Sequence, residues 1–189
     1  MQTAEFRLYL LVAIDGTSKF GFVELHRKAL RKTAADFLRH LVEAVPYRVT
    51  IVLTDNGTHF TTLGAGGSAA PLIAEALAKG EPFWAHAFQY ACATFGIEHR
   101  TTKPKHPWTN GQVERMNRTI KDATVKRFHY YDHDQLQRHL ADFIRAYNFR
   151  RRLKRIKGLT PCEFICKCST SEPERFILNP LHQMPGLNI

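Results

Sequence analysis

Two carboxylates stand out by the segments that carry them. Asp55 directly follows the apolar run Val49–Leu53 and precedes Asn56-Gly57. A short apolar run bounded by turn residues reads as a strand, and open α/β sheets place their sites at the carboxyl ends of strands. Glu114 falls in the first turn of a helix that Thr109-Asn110-Gly111-Gln112 opens with a capping-box pattern. Asn117, Arg118 and Lys121 follow it at i+3, i+4 and i+7, so one helical face carries a carboxylate, an amide and two cations. Val113, Met116, Ile120 and Ala123 make an apolar stripe on another face. Such a helix can pack one side on a sheet and offer the other to a phosphodiester. A purely structural reading stays open. Asp-Asn-Gly is good turn sequence, and a Glu near a helix N-terminus is favoured by the helix dipole.

The elements that must position these residues can be read along the chain. Leu8–Ile14, the longest apolar run at seven residues, reads as a fully buried strand. Asp15-Gly16-Thr17-Ser18 is turn chemistry, and Phe20–Leu25 is the second arm of a hairpin. Thr33-Ala34-Ala35-Asp36 resembles a capping box before Phe37, Leu38, Leu41, Val42 and Val45, and Pro46 ends that helix. After Asp55 a Gly-rich stretch marks a loop, and Pro71–Lys79 is expected to be a short helix. Trp84, Ala87, Phe88, Ala91 and Phe95 form a helical stripe stopped by Gly96, and Ile97–Thr101 reads as a strand. Lys103–Pro107, with two prolines, must be a loop. A second long helix begins at Asp132, with Leu136, Leu140, Phe143, Ile144 and Tyr147 on one side. Thr160 caps a helix with Pro161 at its first position, and Ser171-Glu172-Pro173-Glu174 is expected to repeat that logic. Asn179–Ile189 is expected to be an irregular tail. This alternation of strands and helices argues for an α/β sheet domain with helices on its faces.

Charge points to a partner class. Lys plus Arg is 27 against 17 for Asp plus Glu, a formal net charge of +10 among 189 residues. An excess of this size suggests a polyanion, usually nucleic acid. It is concentrated in Arg150, Arg151, Arg152, Lys154 and Arg155 and in His99–His106, which includes Lys103 and Lys105. No run is long enough for a transmembrane helix and the first residues lack the pattern of a signal peptide, so a soluble intracellular protein without membrane contact is expected. Of the four cysteines, Cys92 sits in an apolar helical pattern. Cys162, Cys166 and Cys168 have a spacing unusual for zinc, and reduced thiols are expected.

The words around the two carboxylates carry a resemblance. Leu53-Thr54-Asp55-Asn56-Gly57-Thr58-His59-Phe60 resembles the TDNGxxF block of retroviral-type integrases. His106-Pro107-Trp108-Thr109-Asn110-Gly111-Gln112-Val113-Glu114-Arg115-Met116-Asn117 resembles their HPxTNGxxERxN block, and Gly96–Arg100 before it is also similar. The chain is identified as a member of the DDE transposase and integrase cores, most similar to bacterial insertion-sequence transposases. Its segments Arg118–Ala123 and Ser171–Phe176 look like theirs as well. The resemblance implies an α/β, RNase H-like mixed sheet with flanking helices. It also implies a site of two Asp and one Glu holding two Mg²⁺ (or Mn²⁺) ions, for which oxygen-only ligands are suited. Two such ions serve an in-line displacement in which water nicks DNA or a freed 3′-hydroxyl joins it to a target. Asp55 matches the second Asp and Glu114 the Glu, so both are the implied catalytic and metal-binding residues. Asn117, Arg118 and Lys121 match positions facing DNA, and Asn56 and Asn110 are expected to hold the site's shape. Lys103, Lys105, Arg150, Arg151 and Arg152 are the further DNA contacts expected from charge.

The match also departs from the family. Leu8–Asp15 corresponds to the family's second strand, and Asp15 is not its metal ligand. The first, central strand with its Asp is expected to be missing, leaving sheet edges unpaired and the isolated chain unstable or inactive. Residues 1–157 are expected to form the catalytic core and 158–189 a helical or irregular tail. The expected function is DNA transposition or integration by Mg²⁺-dependent phosphodiester transfer. The alternative is a catalytically dead fragment that only binds nucleic acid or regulates. Transposon-end and target DNA, a homo-oligomer of the full-length form and a bacterial cytoplasmic, nucleoid-associated location are the expected setting.

Overall fold

The computed structural model describes residues 1, 3–62, 69–81, 84–102 and 111–180. In chain order the elements are β1 (Tyr9–Ile14), β2 (Gly21–His26), α1 (Arg31–Ala44), β3 (Ile51–Thr54), α2 (Ala70–Lys79), α3 (Ala87–Thr94), β4 (Glu98–Thr101), α4 (Gly111–Ala123), α5 (His133–Phe149) and α6 (Pro161–Ser171). Short 3-10 turns lie at Lys154–Ile156 and Pro173–Arg175. The chain divides into two compact units. The first holds Met1–Arg27, Val45–Arg48 and Gln112–Ile189; the second holds Lys28–Ala44 and Val49–Gly111. Among the described residues the strands form two two-stranded sheets, β1 with β2 and β3 with β4.

In the first unit β1 and β2 form an antiparallel hairpin, from Tyr9 opposite His26 to Ile14 opposite Gly21. Leu10, Val12, Ile14, Val23 and Leu25 pack on Met116 and Ile120 of α4 and on Leu140 and Tyr147 of α5. The strand β1 is not fully buried, as its apolar run suggested. Its residues are half-buried or exposed because the sheet has only two strands. The start of β2 is clamped to α5. Asn148, 3% exposed, accepts from the Gly21 N–H (2.9 Å) and donates to the Gly21 carbonyl (2.8 Å). A Cβ at Gly21 would stand 2.8 Å from the Met116 methyl, so a larger residue here would displace that side chain.

Asp15 closes the hairpin turn with its side chain. It accepts from the Thr17 N–H (2.9 Å), the Ser18 N–H (3.2 Å), the Ser18 hydroxyl (2.5 Å) and the Tyr47 hydroxyl (3.1 Å). Burial, and then the Asp15 charge, push the Tyr47 phenol well above its ordinary range. Helix α5 is capped by Asp132, which accepts from the Gln135 N–H at 2.7 Å. In α6 the expected capping box forms, with Thr160 accepting from the Glu163 N–H and Glu163 from the Thr160 N–H. Ser171 does not repeat it. It ends α6, and Pro173–Arg175 is a 3-10 turn without a side-chain cap. Of the expected tail, residues 181–189 lie outside the described residues.

In the second unit β3 and β4 pair in parallel, Ile51 with Glu98 through Thr54 with Thr101, so a crossover containing α2 and α3 joins them. Val52, Thr54 and His99 face inward, whereas Ile51, Leu53, Glu98 and Arg100 are exposed, the two-residue alternation of a sheet covered on one face. The core joins Ala34, Ala35 and Leu38 of α1 to Phe88, Ala91 and Cys92 of α3. The alanines allow the two helices to approach closely. That packing carries α1 upstream of its expected cap. The helix starts at Arg31, the Ala34 N–H donates to the Leu30 carbonyl (3.1 Å), and Thr33 lies within it. Trp84 does not belong to α3. It is fully exposed, and His86 caps the helix after it.

Candidate active-site residues

Asp55 is the first residue after β3, and its side chain is exposed. One carboxylate oxygen, Oδ1, accepts from the Gly57 N–H at 2.9 Å, and Oδ2 has no partner among the described residues. A Cβ at Gly57 would stand 2.8 Å from that same Oδ1, so any larger residue here would displace the carboxylate. Asn56 holds the neighbouring strand by donating to the Thr102 carbonyl (2.9 Å), and the Thr102 N–H donates to the Thr54 carbonyl (2.9 Å). Beneath the loop the side chains are buried and polar. The Thr54 hydroxyl, 8% exposed, donates to the Asp55 carbonyl (3.0 Å) and lies 2.9 Å from His99 Nε2. A hydroxyl has one proton, so with that proton directed to Asp55 its oxygen accepts from the His99 Nε2–H.

A second histidine holds the far side of the loop. His86 Nδ1 accepts from the Phe88 N–H (3.3 Å) at the start of α3, which leaves the proton on Nε2 to be donated to the Thr58 carbonyl (3.0 Å). Gln89 donates to the Thr61 hydroxyl (3.3 Å), and Phe88 meets Phe60 and His99 edge-on, with centroids 5.1 Å apart in each case. Burial, reinforced by His86, lowers the His99 pKa from 6.5 to about 4. Burial also lowers that of His86, with Arg31 and His59 adding to the effect against the Thr58 hydrogen bond. Both rings are therefore neutral at pH 7 and serve as fixed hydrogen-bonding groups.

Glu114 is presented differently. It is exposed in the first turn of α4, as are Arg118 and Lys121 further along the helix, while Asn117 is half-buried. Met116 (3% exposed) and Ile120 (0%) form the buried side. Lys19, at the end of the hairpin turn, donates to the Gln112 side chain of the same first turn (3.1 Å). Glu114 belongs to the first unit and Asp55 to the second.

The basic run after α5 is exposed, and part of it has local work. Arg151 lies over the Tyr147 ring with its guanidinium carbon 5.8 Å from the centroid. Arg152 donates to the Gly158 carbonyl (3.1 Å) and pairs with Glu163 (3.4 Å). Arg150 is exposed at the helix C-cap. Lys103 and Lys105 lie outside the described residues, as does His106–Asn110. Among the described residues no group of three or more His, Cys, Asp or Glu converges as a metal site. Burial pushes the thiols of Cys92 and Cys162 up to about 12 and raises those of Cys166 and Cys168. Carboxylate oxygens suit a hard divalent cation, and Asp55 and Glu114 each expose one.

Sequence reasoning missed the residues under Asp55. For His99 a signal existed: it follows Ile97 at the two-residue spacing of an inward strand position, and an inward polar residue needs a partner. For His86 none existed, because histidine is outside the Ser, Thr, Asp and Asn set that marks helix starts.

Known proteins share this architecture. A chain of the cryoEM structure of the simian T-cell lymphotropic virus intasome in complex with PP2A regulatory subunit B56 gamma superposes with a TM-score of 0.66 at 21% identity. The match covers 87% of this chain and 50% of that one. The crystal structure of the catalytic core domain of BIV integrase gives a TM-score of 0.61 at 21% identity, covering 92% of this chain and 93% of that one. These likenesses are of fold, and they place the chain's α/β architecture with the RNase H-like integrase cores. A Caenorhabditis elegans relative, "Uncharacterized protein K02A2.6", is 30% identical over 118 residues. That stretch is 62% of this chain and only 7% of the worm protein. Two family models described as "Integrase core domain" match, one over residues 95–161 and the other over residues 1–107. With the latter spanning more than half of its length, the chain belongs to the integrase core domain family.

Proposed function

We propose that this chain is the catalytic core of a transposase or integrase that nicks and joins DNA strands by phosphodiester transfer. One observation carries the reading. Of the two aspartates that directly follow a strand, Asp15 uses both oxygens on its own turn and on Tyr47, whereas Asp55 keeps Oδ2 without a partner among the described residues. A carboxylate held by one oxygen and open at the other is suited to ligate a cation. Mg²⁺ or Mn²⁺, two ions in the intact site, would lower the cost of charge on the attacking and leaving oxygens. Asp55 and Glu114 are the residues that would hold them. Asn117, Arg118 and Lys121 on α4, with Lys103, Lys105 and Arg150–Arg152, would bind phosphates and orient the strand. Binding should weaken as salt rises, because each neutralised phosphate releases counterions. Among the described residues no helix is long and apolar enough to cross a membrane. The setting proposed is an insertion-sequence element in bacterial cytoplasm, with the protein acting as a homo-oligomer on element ends and target DNA.

The test is a strand-transfer assay on end-labelled duplex DNA, with Mg²⁺, Mn²⁺ or chelator, for the chain, for the full-length form that contains it, and for Asp55→Asn and Glu114→Gln in each. Metal-dependent nicked or joined products lost in both variants support the reading. Salt-sensitive binding without products in any metal would replace it with a protein that binds DNA and does no chemistry.

A further inference from the structure

We propose that His99 and His86 are positioning residues for the Asp55 carboxylate, acting through Thr54 and Thr58 on the backbone to either side of it. This rests on reading Asp55 as an acidic residue of the active site. Two independent hydrogen-bond chains converge on one short loop. On the strand side the order is His99 Nε2–H to the Thr54 hydroxyl (2.9 Å), then that hydroxyl to the Asp55 carbonyl (3.0 Å). On the far side the His86 Nε2–H reaches the Thr58 carbonyl (3.0 Å), with Nδ1 fixed by the Phe88 N–H (3.3 Å).

The burial is unequal to any purely apolar need. His99 is 4% exposed, His86 6% and Thr54 8%, beside an apolar cluster of Ala, Leu, Phe, Ile and Cys. Buried polar groups cost stability unless they are bonded, so their use here fixes direction as well as filling space. What they fix is the loop's path. With Thr54 and Thr58 held, the Gly57 N–H meets Asp55 Oδ1 and leaves Oδ2 without a partner among the described residues. Apolar packing alone would leave the carboxylate free to rotate about its own bonds, and a carboxylate must be held closely to serve a metal.

The experiment uses the full chain, ¹⁵N-labelled. Amide hydrogen exchange is followed at Thr102 and Phe60, which bond to the Thr54 and Gly57 carbonyls, and at Cys92 in the α3 core. We expect exchange at Thr102 and Phe60 to be at least fivefold faster in His99→Phe, which keeps a ring but no donor, and in Thr54→Val. His99→Gln, whose amide can replace the Nε2–H, should return to within twofold of the native rate. Cys92 should be unchanged throughout. Native rates at Thr102 and Phe60 in both Thr54→Val and His99→Phe would overturn the proposal. So would a Cys92 rate that rises with them, or a His99→Gln no better than His99→Phe. Should His99→Phe fail to fold, Thr54→Val decides alone. Broadening of the Gly57 amide by Mn²⁺, present in the native chain and lost in Asp55→Asn, tests the metal reading separately. If exchange behaves as expected but Mn²⁺ broadens nothing, the loop bracing stands and the metal role of Asp55 falls.

Discussion

Asp55 and Glu114 both expose a carboxylate, yet the ground beneath them differs. Asp55 stands on a loop tied down by buried polar side chains: His99, Thr54, His86 and Gln89. Glu114 stands on a helix whose underside is Met116 and Ile120, packed on strand residues and on α5. The difference follows from the backbone each uses. A helix satisfies its own backbone groups, so an apolar face is enough to set its position. A loop leaving a strand has backbone groups with no regular partner, and only side chains that donate and accept can fix its course. Direction is thus written in hydrogen bonds at Asp55 and in shape at Glu114.

The contrast can be broken at the helix first. Ile120→Ala removes a fully buried side chain from the α4 underside and should cost about 2–5 kcal/mol, read by urea unfolding. Amides of α4 should exchange faster with it. A loss under 1 kcal/mol would mean that shape does not hold Glu114. The polar side has a pH signature next. His99 binds a proton less readily folded (about 4) than unfolded (6.5), so the unfolded chain takes up protons first as pH falls. Its contribution is complete above pH 6.5 and should be lost as pH falls from 6.5 to about 4, by about 3 kcal/mol at most, with His86 acting in the same direction. Urea midpoints at pH 7.5 and 4.5 measure the loss, and His99→Gln should flatten it.

Gly57→Ala sharpens the comparison at the carboxylate itself. The new Cβ would push Asp55 Oδ1 away and break its bond to the Gly57 N–H, for about 1 kcal/mol and a much larger loss of strand transfer. Full strand transfer in that variant would show that the direction of Asp55 does not matter. The smallest effect belongs to Glu114→Gln, which should change stability by no more than about 0.5 kcal/mol because the side chain is exposed on a helix held from below. Its strand transfer should nonetheless vanish. A large stability change would assign Glu114 to the scaffold.

These differences also explain what the sequence could and could not disclose. The stripe Met116, Ile120 and the caps Asp132 and Thr160 announce themselves, because helix period and capping are local chemistry. The strand ahead of Asp55 is legible for the same reason. The Thr33 cap was misplaced because packing of Ala34 and Ala35 on α3, a contact between distant segments, extends the helix upstream. Trp84 falls on the right period but precedes His86, whose side chain ends the helix at that point. The family motif names Asp55 and Glu114. Nothing local tells that Asp15, also at a strand end, is consumed by its own turn, or that two histidines outside the motif's Asp55 block hold the loop.

The Asn148 clamp on Gly21 has a consequence for how the molecule is made. The two residues are 127 positions apart, so the first strand pair leaves the ribosome long before the amide that completes it. At about 5–20 residues per second, translation would keep the hairpin waiting roughly 6–25 s. In that interval Gly21 presents an N–H and a carbonyl with no native partner, on a hairpin too small to stand by itself. A nascent chain stalled before residue 148 should therefore be a better client for chaperones, and an easier target for proteases, than one stalled a few tens of residues later.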